Sequence, residues 1–217
     1  MLVEDGETTL VVDAGPDFRQ QMLRAGVKNL DALLITHEHK DHLAGLDDVR
    51  AFNFLQKKHI PIYGLPRVLE RIQVEYAYAF AEKKYPGVPQ LDLYPATEAF
   101  FEFGSIKVWP IPVMHARLPV LGYRFGNFTY ITDANHIGPE AREIIRGSDF
   151  LVLNALQKEP HISHFTLEEA IGVARELEVP NVYFTHMSHK MGRHKLIEKE
   201  LPPGIQLAWD GLIIRTS

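Results

Sequence analysis

Within six residues the chain carries four good metal donors, in the order His37-x-His39-x-Asp41-His42. Imidazole and carboxylate together are the donor chemistry of a hydrolytic metal centre. His37 and His39 are two apart, so in an extended segment both rings point the same way. Asp41 and His42 are adjacent and diverge toward a second point. One short loop can therefore feed two metals. The bland alternative is a solvated His-rich turn, which has no need of this order of donors.

Composition narrows the chemistry further. The 217 residues hold 11 His and no Cys, which removes thiolate zinc fingers, iron–sulfur clusters, disulfides and Cys nucleophiles. Any metal must then sit on imidazole and carboxylate. Net charge is −5, so a broad nucleic-acid footprint, which calls for a basic domain, is disfavoured. With 46% hydrophobic and 24% charged residues the chain is globular rather than disordered. No apolar run approaches the roughly 18 residues of a membrane span, and the acidic start is unlike a signal peptide. A cytoplasmic protein without a membrane partner is expected, as one domain over residues 1–217.

The pattern of elements says where further donors gather. Thr8 to Asp13 reads as a strand closed by Ala14-Gly15-Pro16, and Phe18 to Ala25 as a short helix. Leu30 to Ile35 is an apolar strand running into the His-rich motif. A helix is expected from Leu43 to about Gln56, a strand over His59–Tyr63 and a helix over Pro66–Phe80. Tyr85 to Pro95 reads as a proline-rich loop. Ala99–Phe103 and Ser105–Val113 read as strands. Leu121–Phe125 and Phe128–Thr132 form a hairpin at Gly126-Asn127. Pro139–Arg146 is a helix, Phe150–Leu156 a buried strand, and Thr166–Leu177 a helix opened by a capping box of Thr166 and Glu169. Val182–Thr185 is a strand and His194–Leu201 a helix. Ile205–Trp209 and Leu212–Arg215 make a final hairpin around Asp210-Gly211. Strands alternate with helices, so the class is mixed α/β.

His115, Asp133 and His186 each follow an apolar strand by one or two residues, as His37 does. That placement makes them the best further metal donors. His164, just before the Thr166 helix, is a candidate proton donor because imidazole titrates near neutral pH, with His161 as the backup. Asp13, at the end of the first strand, reads equally as an outer partner of a ligand His or as a turn cap. His136, three residues after Asp133, either lines the site or only sits in the loop.

The motif Thr36-His37-x-His39-x-Asp41-His42, followed by His115, Asp133 and His186, resembles the metallo-β-lactamase superfamily. Within it the chain looks most like the phosphodiesterases of the phosphonate-utilisation pathway. The stretches Leu10–Gly15, His161-Ile-Ser-His164, Thr185-His-Met-Ser-His189 and Gly204–Gly211 carry that closer likeness. The resemblance implies an αββα sandwich, two mixed sheets with helices on the outer faces. It also implies a dinuclear site, with His37, His39 and His115 on one metal, Asp41, His42 and His186 on the other, and Asp133 bridging. A hydroxide on the metals would be the nucleophile, and His164, as in the resembled family, would protonate the leaving group. Asp41 counts among the catalytic residues as well as the ligands. Zinc or manganese suits the donors, and iron is permitted.

The likeness has departures. The related phosphodiesterases begin with an extra strand and a Cys-rich segment that builds a structural zinc site, and the chain has no cysteine. His189 therefore takes no metal in this reading, and Met1 is compatible with an internal start. Glyoxalase-like thioesterases and lactonases fit less well, since Met114-His115-Ala116-Arg117 lacks their His-Thr-x-Gly-His pattern. The expected activity is hydrolysis of a small or cyclic phosphodiester. The alternatives are an RNA-processing nuclease of the tRNA 3′-end type, whose basic arm has no counterpart here, and a silent metal-binding scaffold. A homodimer is left open.

Overall fold

The computed structural model describes residues 1–96 and 100–216. It divides into two compact units, Met1–Ile106 and Lys107–Ser217. Each has its own core, and in each the parallel strands end where chemistry-bearing residues begin.

The first unit holds a sheet in the order β1-β2-β3-β4-β5. Strands β2 (Thr8–Val12), β3 (Ala32–Leu34), β4 (Ile60–Gly64) and β5 (Leu91–Pro95) are parallel. β1 (Leu2–Asp5) pairs antiparallel with β2 through the turn at Gly6, which has φ +60°. The strand at Leu2–Asp5 is additional to the expected start at Thr8. Central β3 is buried at every position, as expected for a strand covered on both faces. Val11, Leu33, Ile35 and Ile62 pack with Phe18 and Met22 of α1 (Phe18–Ala25), Phe52 of α3 (Arg50–Gln56) and Ile72 of α4 (Pro66–Glu75). Each such buried side chain contributes about 1.5–3 kcal/mol.

Several expectations in this unit need correction. The helix expected over Leu43–Gln56 is three pieces: α2 (Lys40–Leu43), a 3₁₀ turn (Leu46–Val49) and α3. The break falls at Gly45, where any Cβ would sit 2.1 Å from the Gly15 carbonyl oxygen. The helix expected over Pro66–Phe80 splits at Tyr76 into α4 and α5 (Ala77–Phe80), and the Tyr76 hydroxyl donates to the Leu43 carbonyl at 2.6 Å. Leu91–Pro95, read as the end of a proline-rich loop, is the edge strand β5, a place where proline is tolerated. Phe101–Phe103 is a short strand, β6. Ala99, the expected start of that strand, lies outside the described residues.

In the second unit the order is β12-β11-β10-β9-β8-β7. β7 (Ile106–His115), β8 (Leu118–Phe125) and β9 (Phe128–Ile131) form an antiparallel meander, and β8 begins three residues earlier than expected. β9, β10 (Phe150–Asn154), β11 (Asn181–Thr185) and β12 (Ile205–Leu207) are parallel. The final hairpin is not formed: β12 pairs parallel with β11, and Leu212–Arg215 makes no strand. α6 (Pro139–Ile145) and α7 (Leu167–Glu176) stand close to expectation, while α8 is only His194–Ile197. Thr166 caps α7, its hydroxyl accepting from the Glu169 N–H while the Glu169 carboxylate accepts from the Thr166 N–H. Ile131, Leu151, Leu153 and Phe184 pack with Ala141, Ala170 and Ala174 of the helices. No described helix is long and apolar enough to cross a membrane.

This topology decides which residues share an edge. β7 runs antiparallel to β8, and β8 antiparallel to β9, so β7, β9, β10 and β11 all point one way. Their C-terminal ends lie along one edge of the sheet, which brings His115, Asp133, Asn154 and His186 to the same side. Ligands of open α/β sheets bind at that carboxyl edge.

Candidate functional site

In the first unit β3 ends at Leu34 and leads through Ile35 and Thr36 into the motif. The helix expected from Leu43 begins earlier, at Lys40. His39 is extended (φ −65°, ψ 153°) and caps α2, so Asp41 and His42 lie on a helical turn. The divergence of the two donor pairs therefore comes from a strand-to-helix transition. His37 Nε2 and His39 Nδ1 are 3.0 Å apart, and His42 Nε2 and Asp41 Oδ2 are 3.4 Å apart. Two donors on one zinc-like ion, with bonds of about 2.0–2.1 Å at a tetrahedral angle, stand about 3.3 Å apart, so each pair has the spacing of a metal bite. His37 and His42 are buried, while His39 and Asp41 are exposed.

Asp13 orients both pairs. Its Oδ2 accepts from His42 Nδ1 at 2.7 Å, and its carboxylate takes the Thr36 N–H at 2.8 Å and the Thr36 hydroxyl at 2.9 Å. Having donated to Asp13, the Thr36 oxygen accepts from His37 Nδ1 at 3.0 Å. A neutral imidazole carries one N–H, so both rings keep their Nε2 lone pair for a metal. One carboxylate thus sets the tautomer of a ligand in each expected pair. Of the two readings of Asp13, these contacts fit the outer partner of a ligand His. Asp13 also holds φ +62°, and its N–H donates to the Leu34 carbonyl at 3.0 Å.

The Ala14-Gly15 segment lies against the motif. The Ala14 N–H donates to the His42 carbonyl at 2.8 Å, and the Gly45 N–H donates to the Ala14 carbonyl at 2.8 Å. A Cβ at Gly15 would stand 2.3 Å from the Asp41 carbonyl oxygen, so only glycine fits. The outward residues of the motif are held by α4. Glu38 pairs with Arg67, and Lys40 pairs with Glu75 at 2.5 Å. Burial disfavours the Glu75 carboxylate, but its bonds to Lys40 and Arg71 outweigh that and hold its pKa below the ordinary value.

We expect Asp13→Asn to lower metal affinity about 10–100-fold, the usual effect of losing an outer carboxylate. The amide would offer an N–H where His42 needs an acceptor. Competition with a chelating dye reads the affinity. An affinity within twofold of the parent protein would mean that the tautomers are set by something else.

In the second unit Asp133 is the hub. Its Oδ1 lies 3.0 Å from His164 Nε2 and 3.1 Å from His186 Nε2, while Oδ2 accepts from the Thr132 hydroxyl at 2.5 Å. His115 Nδ1 donates to the Ser163 carbonyl at 2.9 Å, which leaves its Nε2 lone pair for a metal. One donor atom from each of His115, Asp133 and His164 falls within 4.8 Å of the others. His164 and His186 stack with ring centroids 5.0 Å apart. Asp133 has φ +54° and His186 φ +57°, conformations that cost about 1–3 kcal/mol each and concentrate at functional sites.

The remaining residues fall out plainly. His164, expected only as a proton donor, sits on the carboxylate of Asp133, closer to the donors than its assigned role required. His161 is exposed, but its Nδ1 is 3.1 Å from His164 Nδ1, and the Ser163 hydroxyl lies within 3.3 Å of both. His136 is exposed, and its backbone bridges to Met114. His189 is exposed as well. Sequence reading carried Thr36 only as the start of the motif and gave no role to Asn154. Buried Asn154 clasps Ala134, donating to its carbonyl at 2.9 Å and accepting from its N–H at 2.8 Å, which fixes the turn after Asp133. A polar side chain inside an expected buried strand was the one available signal.

The donors fit a divalent ion: imidazole and carboxylate only, with lone pairs fixed outward and spacings of a metal bite. The comparisons agree. The model of the β-lactamase superfamily domain matches residues 8–187. An octanoyltransferase of Porphyromonas gingivalis is 36% identical over 98% of this chain, which spans only 43% of that relative's length. A ribonuclease Z of Methanopyrus kandleri is 26% identical over 99% of this chain and 90% of its own. The crystal structure of a diphosphatase from the PhnP family is 35% identical, with a TM-score of 0.91, covering 100% of this chain and 83% of that one. The chain therefore belongs to the metallo-β-lactamase superfamily, as a metal-dependent hydrolase domain of the αββα fold class with two mixed sheets.

Proposed function

We propose that this domain hydrolyses a small or cyclic phosphodiester with two divalent ions, zinc or manganese, held by His37, His39, Asp41, His42, His115, Asp133 and His186. Asp133 is the residue shared between the ions in this reading. The supporting observation is the pair of donor sets at strand ends, with the rings of His37, His42 and His115 turned to offer Nε2. The likeness to a diphosphatase at 35% identity over the whole chain points to phosphate chemistry. Ions so held supply Lewis acidity that activates water and neutralises phosphoryl oxygens. The chain's own part is to orient and to move protons. Asp13 and Thr36 hold two ligand rings in one tautomer. His164 gives a proton to the departing alkoxide, with the Ser163 hydroxyl and His161 beside its Nδ1.

The ribonuclease reading is favoured by the likeness to the Methanopyrus kandleri enzyme. Purified protein reloaded with Mn²⁺ or Zn²⁺ should approach two ions per chain by elemental analysis and release nitrophenol from bis-p-nitrophenyl phosphate. Turnover of 2′,3′-cyclic nucleotides without cleavage of precursor tRNA supports the small-substrate reading, and the reverse supports the nuclease. Loaded protein inert on every phosphodiester would be a metal-binding scaffold.

A further inference from the structure

The loop that carries His161 and His164 has little structure of its own. Residues 155–166 form neither helix nor strand, and Lys158 to Ile162 are exposed. Yet His164 stands with its Nε2 3.0 Å from Asp133 Oδ1, and its ring meets that of His115 edge to face at 4.6 Å. A proton donor on such a loop works only while the loop keeps it in place.

The fastening comes from Asn135, two residues after Asp133. Its Nδ2 donates to the Ile162 carbonyl at 3.0 Å, and its Oδ1 accepts from the Ala116 N–H at 2.8 Å. One acceptor and one donor as partners fix which way the carboxamide faces. The backbone beneath it is pinned as well: the Asn135 N–H donates to the Met114 carbonyl at 2.9 Å, and the Met114 N–H to the His136 carbonyl at 3.0 Å. Ala116 opens the turn after β7 at φ +56°, a conformation that persists only where its surroundings hold it. One side chain thus ties the end of β7, which carries His115, to the loop that carries His164. His115 Nδ1 adds a bond to the Ser163 carbonyl at 2.9 Å, and the Phe165 N–H donates to the Ala134 carbonyl at 2.9 Å. His164 is therefore bracketed: Ile162 before it and Phe165 after it are held by consecutive residues of the segment that follows Asp133.

We infer that Asn135 is a positioning residue, whose carboxamide keeps His164 on the Asp133 carboxylate so that its proton reaches the departing alkoxide. This rests on the phosphodiesterase reading, in which His164 is the acid. Asn135 acts through His164 rather than on the substrate, so its loss should matter only where the acid matters.

The test is Asn135→Asp on metal-saturated protein. The carboxylate keeps an oxygen for the Ala116 N–H but sets another oxygen, in place of the N–H donor, against the Ile162 carbonyl. With thymidylyl-(3′→5′)-thymidine, whose leaving group is a sugar, kcat should fall about tenfold, the size of one lost hydrogen bond with its carbonyl left facing an oxygen. With thymidine 5′-(4-nitrophenyl phosphate), which needs no acid, it should fall less than about twofold. In a His164→Ala background the same substitution should cost less than about twofold on either ester, because the residue it positions is gone. Equal losses on both esters, an undiminished loss in the absence of His164, or an unchanged kcat on the dinucleotide overturns the inference. If the parent leaves the dinucleotide intact, hydrogen exchange decides the matter instead; if it leaves both esters intact, the phosphodiesterase reading fails on its own account. Amides of residues 161–165 should exchange about tenfold faster in Asn135→Asp, while those of β10 stay as in the parent. Unchanged exchange over 161–165, or an equal rise in β10, overturns the positioning role.

Discussion

Asp133→Ala is expected to reduce turnover by about 10³-fold or more and to leave less than the full complement of metal. In the proposed site this carboxylate is the one shared by both ions, so its loss removes a ligand from each and leaves two positive charges less compensated. Stabilisation by paired ions is worth several kcal/mol, and each 1.36 kcal/mol is a factor of ten in rate. The structure adds a second loss. Asp133 Oδ1 is the partner of His164 at 3.0 Å and of His186 at 3.1 Å, so both rings lose their anchor together. Elemental analysis beside steady-state kinetics reads the result. Near-normal turnover with two ions retained would show that the carboxylate is only a structural partner of the two rings. Asp133→Asn separates the causes. It keeps the size of the side chain but not its charge, so a deficit as deep as in the alanine variant assigns the effect to charge.

His164→Ala should slow the enzyme in proportion to how poor the leaving group is. A sugar alkoxide needs a proton as it departs, whereas a nitrophenolate leaves without one. General acid catalysis is worth about 10²–10⁴-fold, so that range is expected on a substrate with a sugar leaving group, and a much smaller loss on a nitrophenyl ester. Metal content is the discriminating reading, because His164 lies in one donor group with His115 and Asp133. Equal losses on both substrates together with lost metal would make His164 a ligand. The proton would then have to come from His161 or from water.

The candidate metal centre was legible in the sequence wherever its determinants are local. Four donors in six residues need no fold to be noticed, and an apolar run that ends on His115, Asp133 or His186 marks a strand whose tip carries a donor. The capping box of Thr166 and Glu169 and the hairpin at Gly126-Asn127 were readable for the same reason, since their partners are near in the chain. The readings that failed depended on distant partners. Pro95 made Leu91–Pro95 look like loop, but the segment is the edge strand beside β4, where a missing N–H is tolerated. Asp210-Gly211 suggested a hairpin, but Ile205–Leu207 pairs instead with β11, more than twenty residues upstream.

Residue types and spacing by themselves determined that this is a cysteine-free α/β chain with imidazole and carboxylate as its candidate metal donors, because donor chemistry and strand periodicity are properties of short stretches. Only the tertiary structure decided how those donors are held. It brought Asp13 onto His42 directly and onto His37 through Thr36, across more than twenty residues. It put His164 on Asp133 across 31 positions, and it turned Asp13, Asp133 and His186 into left-handed backbone. Such backbone costs energy locally and persists only where packing and hydrogen bonds from other segments hold it. For that reason no local pattern announced it.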